Sequence, residues 1–138
     1  PFSLKLPKEL PFEANEPVVL ITDMDGRGER IVAEVLYAPK SGDGSTSVMV
    51  SVANFAQAMG EGVQADPPFA EEKKMDNGKS AYLQRISEQV TCLAFADKKL
   101  EYIIRYQHDG TADVTEKLLS IANFDQIKPL KCRWPASL

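Results

Sequence analysis

The chain has 138 residues, 43% of them apolar and 26% charged, with a formal net charge of −4. This is enough for one domain, read here as 1–138, with its own core. The composition excludes wholesale disorder. The acidic balance argues against nucleic acid, whose phosphates need a basic surface to release counterions. The longest apolar runs are strand-length, far short of the roughly 20 residues of a spanning helix.

The chain opens on Pro1 rather than Met, which reads as a processed or trimmed start. A signal peptide or lipid anchor would then lie upstream, so export is compatible with the sequence. Phe2-Ser3-Leu4-Lys5-Leu6 alternates apolar and polar as a half-buried strand does, and Pro7 ends it. The proline-punctuated stretch 7–17 predicts an extended connection. Val18-Val19-Leu20-Ile21-Thr22 and Arg30-Ile31-Val32-Ala33-Glu34-Val35-Leu36-Tyr37 form a hairpin around Asp25-Gly26-Arg27-Gly28. Residues 39–45 form a loop. Thr46 to Val52 is the clearest alternating strand, and Phe55 to Met59 a short helical turn.

Residues 60–78, with Pro67-Pro68 and Glu71-Glu72-Lys73-Lys74, predict a long surface loop, the kind of segment that often carries function. Strands over Ser80–Ile86, Val90–Ala96 and Leu100–Tyr106 follow, the last two joined by a turn at Asp97-Lys98-Lys99. The last two runs are apolar at successive positions, which predicts central strands covered on both sides. A helix runs from about Asp113 to Ala122, with Asp113 as N-cap and Glu116 completing a capping-box-like pair. Asn123 ends it, and Phe124 and Ile127 pack as the chain leaves. The sum is α+β: a mainly antiparallel sheet with a C-terminal helix packed on one face.

Candidate chemistry is sparse. Asp23-Met24-Asp25-Gly26 after an apolar strand is similar to the opening motif of haloacid-dehalogenase-type phosphatases, where the first Asp is the nucleophile. The match ends there, because Arg27-Gly28-Glu29 follows and no parallel βαβ pattern comes after it. Asp23 and Asp25 therefore read as turn residues. Asp23, Asp25 and Glu29 lack the ordered twelve-residue loop of a calcium site. Gly26-x-Gly28 has Ile31 in place of a third glycine, and 42–46 has no lysine for a phosphate loop.

His108, the single histidine, reads as a surface turn residue. Cys92 reads as core, and Cys92 and Cys132 as either one disulfide or two buried thiols. Tyr102 and Tyr106 share a core face with Leu100 and Ile104, and Arg85 and Arg105 point to solvent. No metal, cofactor or catalytic residue is expected.

The layout resembles the Mog1/PsbP/DcrB-like superfamily. The points of likeness are the Phe2-Ser3-Leu4-Lys5-Leu6-Pro7 strand, the hairpin, the Tyr102-Ile103-Ile104-Arg105-Tyr106 strand, and a helix closing on Ala122-Asn123-Phe124. The resemblance implies a non-enzymatic protein-binding role. The specific expectation is an exported, periplasmic immunity-type inhibitor that neutralises a bacterial toxin or effector enzyme. The alternatives are an exported lipoprotein or accessory subunit, or a small hydrolase. The contact residues expected from the loop are Glu71, Glu72, Asp76 and Asn77, with Glu29 and Asp43 from the glycine-rich turns.

Overall fold

The computed structural model describes residues 3–42, 44–55, 71–110, 113–124 and 130–131. Its main feature is a seven-stranded antiparallel sheet, with one short helix among the described residues, late in the chain. Two short segments, β1 (Ser3–Leu4) and β9 (Leu130–Lys131), pair separately. The large sheet contains β2 (Val18–Asp23), β3 (Ile31–Tyr37), β4 (Ser47–Ala53), β5 (Glu71–Lys74), β6 (Ser80–Ser87), β7 (Val90–Asp97) and β8 (Leu100–Gln107). Their spatial order is β2-β3-β4-β8-β7-β6-β5. The single crossover from β4 places β8 at the centre, so every neighbouring pair remains antiparallel.

Alternation decides which side chains meet. Ala33, Val35, Val48, Val50, Val52, Leu93, Phe95, Tyr102, Ile104 and Tyr106 fall on one face and are all buried. Two elements cover that face. The helix α1 (Thr115–Ala122) turns Leu118, Ile121 and Ala122 inward against it. The N-terminal connection adds Leu6, Leu10, Phe12 and Ala14. This connection runs the length of the sheet. At one end the Lys5 N–H donates to the Tyr102 hydroxyl at 2.9 Å. At the other, Ala14 bridges to Pro39, and the Lys40 N–H donates to the Glu13 carbonyl at 2.8 Å.

The helix begins one turn residue later than its sequence predicts. Val114 occupies the N-cap position and supplies no side-chain hydrogen bond. Asp113, one residue earlier, accepts from the Thr115 N–H at 2.9 Å and from its hydroxyl at 2.6 Å. The capping box therefore fails, because Glu116 sits one position too early relative to the true cap. The end is as expected: the Asn123 N–H closes the last turn on Leu119 and Ser120. The chain then drops Phe124 into an aromatic cluster, with ring centroids 5.8 Å from Phe95 and 5.5 Å from Tyr102.

Three expectations are corrected. Glu71–Lys74 is not loop but an edge strand, its ladder running from Glu71↔Leu83 to Lys74↔Ser80. The β6 backbone needs a partner on its outer side, and an edge strand can carry charge at every position. Residues 60–70 lie outside the described residues, as do 56–59 and Ile127. Second, β8 and β7 are inner strands, yet only one of their faces is fully covered; Ile103 is half-buried and Arg105 exposed on the other. Third, Cys92 belongs to that second face, opposite Gln84 and Arg105, because the buried Thr91, Leu93 and Phe95 fix the parity of β7.

Removing the Phe124 ring should leave a cavity among Phe95, Tyr102 and the helix. Phe124→Ala is expected to cost about 3–5 kcal/mol. Tyr102→Phe, which deletes only the bond to Lys5, should cost about 1 kcal/mol. Urea unfolding followed by tryptophan-independent far-UV signal measures both. The tight turn between β7 and β8 offers a gain instead. Lys98 and Lys99 both have positive φ, at 48° and 68°, the left-handed region that side chains with a Cβ resist. Lys99→Gly should raise stability by about 0.5–1 kcal/mol in the same experiment.

Candidate functional site

The ladders sort the turns between the two ends of the sheet. Turns 24–30, 75–79 and 98–99 lie at one end, while 39–42, 88–89 and the exit of β8 lie at the other. Glu29 and the pair Asp76 and Asn77 thus share an end. They do not share a site, because their hairpins occupy opposite edges. Five strand spacings separate the two hairpins, roughly 24 Å. Asp43, the other second-rank candidate, lies outside the described residues.

The Asp-x-Asp-Gly segment is a self-organised turn. The Asp23 carboxylate accepts the N–H groups of Asp25, Gly26 and Gly28 at 3.3, 3.0 and 2.8 Å. Asp25 in turn accepts the Arg27 N–H at 3.0 Å, which holds its carboxyl below the ordinary range. Gly26 and Gly28 adopt φ of 73° and 74°, and this is how a loop wraps around one carboxylate. The Arg27 guanidinium lies 3.8 Å from Asp25 and 3.7 Å from Glu29. Both oxygens of Asp23 are thus engaged with backbone donors. Asn54 locks the turn from β4: it accepts the Ile31 N–H at 2.9 Å and donates to the Glu29 carbonyl at 3.0 Å.

The remaining candidates share one hairpin, β5–β6, and are all exposed. Strand geometry divides them. Glu71 lies on the helix-covered side and pairs with Lys73 at 3.2 Å. Glu72 lies on the opposite side, where the Tyr82 hydroxyl donates to it at 3.4 Å. Asp76 leans toward the helix, accepting from the Asn123 side chain at 2.8 Å. Asn77 uses its carbonyl oxygen to accept the Lys79 N–H at 2.9 Å and so shapes the turn. Glu71 and Asp76 therefore belong to one side of the edge, and Glu72 to the other. Nearby, Asp97 receives Lys5 and Lys79, each at 3.1 Å. Burial would raise its pKa, but the two ammonium groups outweigh that and hold it below the ordinary value.

His108 departs from its sequence reading. It is buried, not on a surface turn, because it continues the inward positions Tyr102, Ile104 and Tyr106 by one more step of two. The Gly110 N–H donates to its Nδ1 at 3.1 Å, so the proton is assigned to Nε2, which donates to Thr91 at 3.1 Å. Gly110 has φ of 82°, and a Cβ there would stand 2.8 Å from the Glu88 carbonyl oxygen. Only glycine fits this approach. Cys92 is a half-buried free thiol whose pKa burial raises against the pull of Arg105. Its proposed partner Cys132 lies outside the described residues.

One surface was not singled out from sequence. On the face away from the helix, Val18 is 65% exposed, Leu20 58% and Leu36 40%. The register continues this surface through Met49 and Ile103. Its signal, an apolar run at both parities in β2, reads equally well as a buried strand.

His108 sets a pH dependence whose sign follows from its partners. Burial lowers its pKa, and Arg85 adds to this. The unfolded chain therefore binds the proton more readily, and the contribution of neutral His108 is complete above its ordinary value of 6.5. It is lost progressively as pH falls from there toward the folded pKa. Chemical denaturation at a series of pH values should show this slope, and His108→Gln should flatten it.

No helix among the described residues is long and apolar enough to cross a membrane. No family model, no curated protein and no solved structure matches the chain.

Proposed function

We propose that this chain is a non-enzymatic protein-binding domain, an exported immunity-type inhibitor of a bacterial toxin or effector enzyme. The observation that carries the reading is the cluster of exposed carboxylates on the edge hairpin: Glu71, Glu72 and Asp76 stand within six residues on the outermost strand and its turn, interleaved with Lys73 and Lys74. A partner can reach that strand from both sides. The net charge of −4 acts in the same direction, since an acidic inhibitor meeting a basic substrate groove gains encounter rate and register from complementary potential. The inhibitor role itself comes from the superfamily resemblance, an argument by analogy.

The geometry refines the contact set. Glu71 and Asp76 face a partner together on the helix side, whereas Glu72 faces away from them. The test is co-expression with the product of the neighbouring reading frame in a bacterial host. The chain should bind that product and relieve its toxicity. Glu71→Ala combined with Asp76→Ala should weaken binding about tenfold or more, mainly through the off-rate, with thermal stability nearly unchanged. Glu72→Ala alone should matter less. A neighbour that is neither toxic nor bound removes the inhibitor reading. Unchanged affinity of the double variant places the interface elsewhere on the chain.

A further inference from the structure

The two edges of the large sheet differ in chemistry. One edge, β5, reads Glu71-Glu72-Lys73-Lys74, with charge at every position. The other, β2, reads Val18-Val19-Leu20-Ile21-Thr22-Asp23, uncharged until its last residue. Charge on an edge strand is a recognised guard against pairing with another chain, and β2 has no such guard.

The backbone of β2 is set for such pairing. The Met24 N–H donates to the Arg30 carbonyl at 2.7 Å, which puts 24 and 30 at a hydrogen-bonded position in the continuation of this ladder. Bonded pairs recur every second residue, so Val18, Leu20 and Thr22 turn their backbone groups toward β3. The Asn54 N–H to the Ile31 carbonyl sets the same parity on the far side of β3. Val19 and Ile21 consequently point their N–H and C=O groups outward. Among the described residues, no strand pairs with that edge.

From this we infer that the chain pairs with a second copy of itself along β2, antiparallel about a two-fold axis, joining two seven-stranded sheets. The self-match is good. When Val19 exchanges hydrogen bonds with Ile21 of the second copy, Leu20 faces its own counterpart and Val18 faces Thr22. Side chains that are exposed in one copy, Val18 at 65% and Leu20 at 58%, then cover each other. The match is bounded at both ends. Pro17 has no N–H to give, and the Asp23 carboxylate is committed to its own turn. Head-to-tail pairing of β2 with β5 would press an apolar strand against four charged residues and extend into an open fibre, so the closed dimer is preferred. Five residues per copy make a small contact beside the roughly 800 Å² per partner of stable interfaces, so the dimer is weak and concentration-dependent.

Sedimentation equilibrium of the full chain from about 5 to 200 μM should therefore show a reversible monomer–dimer equilibrium with a dissociation constant of roughly 1–100 μM. Two variants test the edge. Val19→Pro deletes an outward N–H without touching the ladder to β3. Leu20→Lys sets a charge against its own copy across the axis. Each should raise the dissociation constant tenfold or more, while Lys74→Ala on the opposite edge leaves it unchanged. Far-UV spectra confirm that each variant is folded, and either variant suffices. Amide exchange provides an independent readout: protection at Val19 and Ile21 should rise with protein concentration. A chain that stays monomeric over this range, or a dimer indifferent to the folded variants, overturns the inference. So does protection independent of concentration, which would mean that another part of the same chain occupies the edge.

Discussion

The architecture depends on Tyr102. It sits on the central strand, 1% exposed, and joins three parts of the chain that are distant in sequence. Its ring stacks on Phe95 of the neighbouring strand, with centroids 5.1 Å apart and planes within 3°. The edge of the same cluster receives Phe124, which ties the helix exit to the sheet. Its hydroxyl accepts the Lys5 N–H across 97 residues of sequence. Burial raises the phenol pKa and keeps it protonated. A phenylalanine would fill the same space but would leave the N-terminal connection without that anchor, which is why a polar tip on a buried ring is useful here.

Each end of the covered face has its own fastening. At the Tyr102 end, Asp97 bridges Lys5 of the N-terminal connection and Lys79 of the β5–β6 turn. At the opposite end, His108 stitches β7 to the chain leaving β8 through Thr91 and the Gly110 N–H. The Gln89 carbonyl accepts the His108 N–H at 2.8 Å, adding the β6–β7 turn to the same knot. The helix can then start from a fixed position despite its weak cap. Its placement is set by burial of Leu118 and Ile121 and by these knots rather than by local propensity, as expected for a helix of eight residues.

Much of this was legible in the sequence because most strands have their own period. Val48, Val50 and Val52 announce one face of β4, and the Asp-Gly-Arg-Gly turn announces the β2–β3 hairpin. Asn123 and Phe124 mark the helix exit. What was hidden depends on neighbours rather than on the segment itself. Glu71–Lys74 has no apolar alternation, so only the ladder with β6 makes it a strand. Cys92 lies in a run that is apolar at both parities, and Leu93 and Phe95, claimed by the core, send it to the opposite face. His108 carried a usable signal, the step of two after Tyr106, but Asp109-Gly110 drew the reading toward a turn. Strand order, and with it the location of the edges, is invisible to any single strand.

Edge position also changes the meaning of the acidic candidates. In a loop, Glu71 and Glu72 are adjacent acceptors for one partner surface. On a strand they are back to back, and each has a local partner: Lys73 for one, Tyr82 for the other. Such exposed pairs contribute little to stability, at most about 1 kcal/mol each, so the fold gains little from holding four charges in a row. What the row does is discourage strand addition along β5. The β2 edge, apolar from Val18 to Ile21, has the reverse character, with the backbone groups of Val19 and Ile21 turned outward. A single sheet thus presents two edges of different chemistry, one charged at every position and the other apolar over most of its length with hydrogen-bonding groups turned outward.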